Sequence, residues 1–278
     1  DANPDLVEGW KKMHDLGLES AVRGNPAFVE KVDFFMSNKL LDGQIKKIVK
    51  TQNLKALELA ESCLKRTPPY KDFVHKLVEN ANKLEYEQAG ALDKIKILAS
   101  DPKFRNIKKL KDALSKGLSD IKGGSKGIFT EIDEAVRLIQ NGKEVKLGVK
   151  TKGGDELDVV NITDNSLVEA KNVSSGDPGA FNTNLKRIGQ KFSNTGKLAE
   201  ATRKSFENGG GLKGKIEISN PKHPFYLYNT KEKFASEMQH VLSDAKVSQG
   251  IKDGILKMNE LRIKNGVDEF VLVRGTDY

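Results

Sequence analysis

The stretch DELDVVNITDNSLVEAKNV at residues 155–173 decides the fold of the second half of the chain. It contains two runs with strand-like composition, DELDVVNIT and SLVEAKNV. Asp164 and Asn165 stand between them, and both residue types favour turns. The stretch therefore predicts two antiparallel strands joined by a tight hairpin turn at these two residues.

Three charged residues of this hairpin are expected to lie together. Glu169 and Lys171 are two residues apart on one strand, so their side chains point to the same face of the sheet. A hairpin folded at Asp164-Asn165 brings Asp158 beside them. A surface ion pair between Glu169 and Lys171 is the plainer interpretation. However, neighbouring carboxylates repel each other, and a hairpin with only a structural role would tend to avoid them.

The segments around the hairpin show helical and strand patterns in turn. A helical pattern at residues 126–141 comes first, and EVKLGVK follows as a strand before the hairpin. The later segments are predicted as a helix over 181–207, the strand GKIEIS, helices over 231–242 and 245–264, and the strand EFVLVRG. Consecutive strands with short turns pair antiparallel, whereas a strand that returns after a helix can add in parallel. We therefore expect an α/β fold, with a mixed sheet and helices on its faces.

The first part of the chain has a helical pattern throughout. Apolar residues recur at three- and four-residue spacing in AFVEKVDFFMSNKLL, LKALELAESCLKR and YKDFVHKLVENANKL. The strongest turn signal of the chain is IKGGSKG at residues 121–127, which lacks the GxxxxGK[ST] pattern of a phosphate-binding loop. We therefore predict an all-helical module over residues 1–122 and an α/β domain over residues 123–278.

Composition narrows the classes of function. The 278 residues include 47 Lys and Arg against 39 Asp and Glu, a net charge of +8, which favours a polyanionic partner. The four His residues are scattered, which does not favour a zinc site. The single Cys, Cys63, lies at a helical position where a buried structural Cys is expected. No apolar run approaches the length of a membrane span.

The order of these elements and charges resembles the PD-(D/E)xK nuclease superfamily, whose fold is called restriction-endonuclease-like. The resemblance covers about residues 123–219. It rests on an αβββαβ order, an acid-bearing first helix, and Asp158 followed by Glu169-Ala170-Lys171. Leu157 stands where many members have the Pro of the motif. The resemblance implies a metal-dependent nuclease.

Several residue roles are implied by this resemblance. Asp158 and Glu169 would coordinate a divalent metal, with the carbonyl of Ala170 as a further oxygen ligand, and such ligands suit Mg²⁺ or Mn²⁺. Lys171 would orient or help to deprotonate the attacking water. Glu131 is our choice for the third acid that the family often carries on its first helix. Glu134 is the second choice, because the helix places both on one flank and turns Asp133 away.

A basic segment follows the hairpin. Residues 172–216 contain eight basic and three acidic residues, a surface that suits phosphate contacts. We predict that the start of the second helix contacts a nucleic-acid backbone through Lys186, Arg187, Gln190 and Lys191. The plainer interpretation of each is a solvated helix face.

The arrangement of a helical module before a basic, nuclease-like C-terminal domain resembles the tip of a bacterial polymorphic toxin. We therefore expect a secreted or delivered effector that acts in the cytoplasm of a target cell and has a cognate immunity protein. DNA is favoured over RNA as substrate, because most of the superfamily acts on DNA. Two alternatives remain: a housekeeping endonuclease of repair or restriction, and a nucleic-acid-binding protein of the same fold without catalysis.

Overall fold

The chain folds into two compact units, Asp1–Asp101 and Pro102–Tyr278. The structure is a computed structural model. It describes residues 11, 13–15, 17, 25–37, 43–66, 71–119, 124–151, 156–227, 230–265 and 269–273. The predicted boundary at residues 122 and 123 lies outside these described residues.

The described elements of the first unit are all helices. They are α1 (Pro26–Ser37), α2 (Gly43–Lys50), α3 (Leu54–Arg66), α4 (Lys71–Glu87) and α5 (Ala91–Ser100). Helix α3 packs against α1, α2, α4 and α5. Cys63 of α3 is fully buried, as the sequence predicted, and burial raises the pKa of its thiol to about 12. A thiol with so high a pKa is unreactive at neutral pH, which is consistent with a structural role.

The second unit is an α/β structure with a six-stranded mixed sheet. Its elements are α6 (Ile107–Ser119), α7 (Gly124–Gln140), β1 (Val145–Lys150), β2 (Glu156–Asn161), β3 (Ser166–Val173), α8 (Gly179–Phe192), α9 (Glu200–Glu207), β4 (Gly211–Ile218), α10 (Pro224–Leu227), α11 (Lys231–Ser243), α12 (Gln249–Leu256), β5 (Met258–Lys264) and β6 (Glu269–Val273). The strands follow sequence order across the sheet. Strand β4 is parallel to β3 and β5, and the other neighbouring pairs are antiparallel. The α/β class and the mixed sheet were both predicted.

The second unit begins earlier than predicted. Helix α6, which the sequence assigned to the helical module, packs against α7 and β1. The segment before α6 runs along the edge of the sheet, where the N–H of Val145 donates to the carbonyl of Lys103. Phe104, buried completely, forms a parallel bridge with Val145. Backbone pairing with a distant strand therefore draws these residues into the α/β unit.

Two predicted helices differ in the structure. The predicted helix over residues 181–207 is two helices, because α8 ends at Phe192 and α9 begins at Glu200. The predicted helix over 245–264 is helix α12 followed by strand β5. In β5, Leu261 and Ile263 pack in the core while Arg262 between them contacts Glu134 of α7. This alternation has the period of a strand, and it was missed because helical spacing also fitted the segment.

Helices α7 and α8 cover opposite faces of the sheet. Alternate residues of β4 show this, since Lys215 contacts Asp133 of α7 and the neighbouring Gly214 lies against Ile188 of α8. The α8 face carries the larger apolar core, which includes Phe181, Leu185, Ile188 and Phe192 at helical spacing. The opposite face carries buried ion pairs.

Two glycines fix the position of α8. At Gly254 of α12, an added Cβ would lie 1.8 Å from the carbonyl oxygen of Gly189 in α8. At Gly189, a Cβ would lie 2.6 Å from the carbonyl oxygen of Ile251. The two helix backbones therefore approach each other at a distance that only glycine allows.

We predict that Gly254→Ala destabilises the second unit by about 1–3 kcal/mol, because α8 and α12 must separate to admit the methyl group. Hydrogen–deuterium exchange of the full chain, followed in α8 and β4, measures the change in this unit alone. Gly127→Ala in α7 is the matched control. Its added Cβ meets no atom within 4 Å, and alanine favours a helix, so protection should be kept. Equal protection in the two variants would contradict this prediction.

Candidate active site

Strands β2 and β3 form a fork at the predicted site. Their pairing runs from Asn161 opposite Ser166 to Val159 opposite Val168, and it ends there although both strands continue. Beyond this point the carboxylate of Asp158 takes the place of the main-chain acceptor, because its Oδ2 accepts a hydrogen bond of 3.0 Å from the N–H of Ala170. The fork therefore holds the Asp158 carboxylate directly beside the Glu169-Ala170-Lys171 segment.

Lys171 lies at the point where the oxygen atoms of the fork converge. Its Nζ donates to Oδ2 of Asp158 at 3.2 Å, to the carbonyl oxygen of Ala170 at 3.0 Å, and to Oε1 of Glu169. These three oxygens are the ones that the family resemblance assigns to a metal. In this structure one ammonium group contacts all three.

A second ammonium group, that of Lys191 on α8, closes the other side of the fork. Its Nζ donates to Oε2 of Glu169 and to the main-chain oxygen of Glu156 at 2.7 Å, and it lies 3.4 Å from Oδ1 of Asp158. Lys191 was predicted to contact a nucleic-acid backbone, and the structure places its ammonium group against the two carboxylates of the fork. The close approach of α8 to α12 holds it inside the cluster.

The four charges set the pKa of each group. Burial and then the charge of Asp158 raise the pKa of the Glu169 carboxyl to about 7, against the lowering effect of Lys171 and Lys191. Burial also acts against ionisation of Asp158, but the two ammonium groups outweigh it and lower its pKa. Burial tends to lower the pKa of Lys171 and Lys191, and the two carboxylates raise both. Both lysines therefore stay protonated at neutral pH.

Glu131 of α7 faces this cluster, as predicted for the third acid. It borders a cleft together with Asp158 and Lys191. Burial raises the pKa of its carboxyl well above the ordinary value, and the nearby charge of Asp158 raises it further. Among the described residues, Glu131 forms no hydrogen bond or ion pair through its carboxylate. The raised pKa favours the protonated, neutral form of the Glu131 carboxyl, and a cation bound beside it would favour loss of that proton.

Glu134, the second choice for the third acid, belongs to a separate cluster on α7. Its side chain is completely buried and accepts from Arg137 at 2.6 Å and from Arg262 of β5 at 3.1 Å. Lys215 of β4, also completely buried, lies 3.3 Å from Glu134 and 3.0 Å from Asp133. Asp133, which was expected to face away from the site, contacts the same lysine as Glu134. Glu134 and Asp133 both contact Lys215, so they anchor α7 to the sheet.

The other predicted nucleic-acid contacts lie on the outer side of α8. Arg187 and Gln190 are exposed and border a cleft of about 540 Å³ that also reaches Glu169 and Lys191. Lys186 points elsewhere, and its Nζ lies 3.9 Å from Asp244. Of the four residues predicted on α8, three therefore border the cleft, namely Arg187, Gln190 and Lys191, and Lys186 lies apart from it.

The donor set can be compared with the needs of a divalent cation. Within the part of the chain that the structure describes, no group of three or more His, Cys, Asp and Glu side chains has a geometry that could hold a metal ion. The fork offers a different set, namely two carboxylates and one main-chain carbonyl converging on a cation. Hard oxygen donors around one positive charge suit Mg²⁺ or Mn²⁺, so the residues fit such an ion, provided that Lys171 moves aside.

Comparisons with known proteins give no relative. No family model, curated protein or solved structure matches the chain. Likewise, no helix in the described ranges is long and apolar enough to cross a membrane.

We predict opposite effects on stability for two glutamates of α7. Glu134→Gln should lower the free energy of unfolding of the second unit by about 3–5 kcal/mol, because it leaves buried Lys215 and Arg262 without a carboxylate. Glu131→Gln should leave the stability unchanged or raise it, because this carboxylate is buried against Asp158. Differential scanning calorimetry of the full chain measures both. Equal losses would show that Glu131 has a structural ion-pairing role and would contradict the assignment.

Proposed function

We propose that the chain is a metal-dependent nuclease, with its active centre at the β2–β3 fork. The observation that carries the proposal is the convergence of Asp158 Oδ2, Glu169 Oε1 and the Ala170 carbonyl oxygen on one cation, the ammonium group of Lys171. Two of these oxygens belong to buried carboxylates, and oxygen donors that converge on one positive charge also suit a divalent cation. Glu131 lies beside it, and a divalent ion bound there would lower the raised pKa of this carboxyl and favour its ionised form.

The residues of the fork divide the work as follows. Asp158, Glu169 and the Ala170 carbonyl would hold Mg²⁺ or Mn²⁺, with Glu131 adding its charge from α7. The ion, when bound, supplies positive charge at the scissile phosphate and lowers the pKa of the attacking water. Lys171, moved away from these oxygens by the ion, would orient the attacking water or help to deprotonate it.

The architecture supports the same proposal. Helix α7, strands β1 to β3, helices α8 and α9, and strand β4 follow one another, which is the αβββαβ order of the PD-(D/E)xK superfamily with a second helix before β4, and β4 is parallel to β3. The acids lie on the first helix and on the second and third strands, where the resemblance assigns them. We propose a restriction-endonuclease-like core on this basis, with DNA favoured over RNA as the substrate.

The biological setting is also a proposal. A helical unit followed by a basic α/β unit with a nuclease-like site suits an antibacterial effector, delivered to the cytoplasm of a target cell and neutralised in the producer by an immunity protein. A nuclease of repair or restriction would have the same chemistry but would be tolerated by the cell that makes it.

One observation favours a non-catalytic alternative. Lys171 and Lys191 together neutralise Asp158 and Glu169 without any metal ion. A chain that only binds nucleic acid would keep this cluster as a structural element. The two functions differ in whether a divalent ion enters the fork.

We predict that the full chain cleaves plasmid DNA, or total RNA, in Mg²⁺ and does not cleave either in EDTA. Asp158→Ala and Glu169→Ala should each reduce the rate by more than about 100-fold, because each removes an oxygen that holds the ion. Gel electrophoresis of the products measures the rate. Glu232→Ala, an exposed carboxylate of α11, is the control and should retain full activity. Cleavage that survives both EDTA and Glu169→Ala would contradict the mechanism, and no cleavage with any divalent ion would favour the binding function.

The raised pKa of Glu169 predicts that metal binding depends on pH. A carboxyl with a pKa of about 7 binds the ion only after it loses its proton. If binding releases one proton from Glu169, the apparent association constant for Mn²⁺ should fall by about tenfold per pH unit below about pH 7. Above that pH the constant should no longer change with pH. Isothermal titration calorimetry across this range measures it. A constant affinity down to about pH 5.5 would show that Glu169 has an ordinary pKa or is not a ligand.

We predict toxicity when the chain is produced in the cytoplasm of a bacterium without an immunity protein. Growth should stop on induction and should be restored by Asp158→Ala, because that substitution removes the proposed metal site. Colony counts after induction measure the effect. Normal growth with the unchanged sequence, in cells where cleavage activity can be extracted, would favour a housekeeping nuclease.

A further inference from the structure

Two clefts meet at the carboxylate cluster of the second unit. The first, between α8 and the loop that follows it, is bordered by Arg187, Gln190 and Lys197. The second, of about 350 Å³, is bordered by residues of α6 and by Glu131 of α7. Glu156 and Lys191 border both clefts. The fork therefore has one cleft on either side of it.

The second cleft continues into a basic surface on α6 and β1. A smaller cleft of about 260 Å³ shares Ala113, Lys116 and Glu156 with it and is bordered further out by Lys109 and Lys150. We call Lys109, Lys116 and Lys150 the α6 arm. All three side chains are exposed. The arm lies on elements that the sequence analysis did not connect with nucleic acid.

The charge of the α6 arm suits a polyanion. Two acidic residues, Asp112 and Glu156, also border this cleft, and the Asp112 carboxylate is 3.1 Å from the ammonium group of Lys111. The Lys116 ammonium forms an ion pair with Glu156, at the junction of the clefts. The remaining positive charge of Lys109 and Lys150 faces solvent, where a phosphate backbone can reach it. Gly124 and Gly127 also border the second cleft, and their lack of side chains leaves space there for a ligand.

We propose that the α6 arm is a second phosphate-binding surface, so that a polynucleotide lies along both clefts with the phosphate to be cut at the Asp158–Glu169 fork. This inference rests on the proposed nuclease function. Arg187 and Lys197 contact the backbone on one side of the cut, and Lys109, Lys116 and Lys150 contact it on the other. Because these are phosphate contacts made by lysines, the arm contributes affinity without reading the base sequence.

The salt dependence of binding tests the α6 arm without any cleavage. Fluorescence anisotropy of labelled DNA and RNA oligonucleotides with the full chain, in EDTA and over a series of KCl concentrations, gives the slope of log K against log salt. Each lost phosphate contact reduces this slope by about 0.7 for a single strand and by about 0.9 for a duplex. Lys109→Ala combined with Lys150→Ala should therefore reduce it by about 1.4–1.8. These two substitutions leave the Lys116–Glu156 ion pair intact.

The control is Lys222→Ala combined with Lys246→Ala, which removes two exposed lysines that border none of these clefts. It should keep the slope of the unchanged chain. If the unchanged chain binds and Arg187→Ala weakens binding while the α6 arm variant keeps the full slope, the α6 arm is overturned and the nuclease proposal stands. If the unchanged chain binds neither DNA nor RNA, the proposed function itself fails, and the α6 arm fails with it.

Discussion

Two carboxylates and two ammonium groups at the β2–β3 fork are the interaction on which the rest of the site depends. Asp158 and Glu169 are both buried, and removing a carboxylate from water costs several kcal/mol unless a cation is in contact with it. Lys171 from the same strand and Lys191 from the far helix supply those cations. The cluster therefore links β2, β3 and α8.

Helix α7 illustrates how one element can stabilise the fold and serve a site. Glu134 and Asp133 pair with Lys215 and neighbouring basic residues, which anchors the helix on β4 and β5. Glu131, on the same helix, has no such partner among the described residues and faces the carboxylates of the fork. Burial and the charge of Asp158 raise the pKa of this carboxyl, and groups with strongly shifted pKa values concentrate at functional sites. The anchored half of α7 offsets the cost of the half that faces the fork.

Much of the fold followed from local patterns. The hairpin, the proximity of Asp158, Glu169 and Lys171, and the parallel return of β4 were predicted, because strand period and turn residues determine them over short distances. The sequence did not predict that α6 belongs to the α/β unit, since its contacts with β1 depend on backbone pairing between segments about forty residues apart. The strand β5 was missed because a buried strand with one inward-facing charge also fits a helical period. The contact of Lys191 with the two carboxylates was not predicted, because a sequence does not show which way a helix is turned. The sequence did hold one signal. Ile188 and Phe192 belong to the apolar stripe of α8, and Lys191 lies one turn after Ile188 and directly before Phe192, which places it near the core.

The central claim is that the oxygens now bound by Lys171 form a site for a divalent ion. Anomalous diffraction from crystals grown with Mn²⁺ tests it most directly. The account predicts a manganese peak bonded to Asp158, Glu169 and the carbonyl of Ala170, with the Lys171 ammonium moved away from the Ala170 carbonyl, and no peak in Asp158→Ala crystals. A map without manganese at the fork, in which Lys171 still contacts all three oxygens, would contradict it and would leave the cluster as a structural ion-pair network.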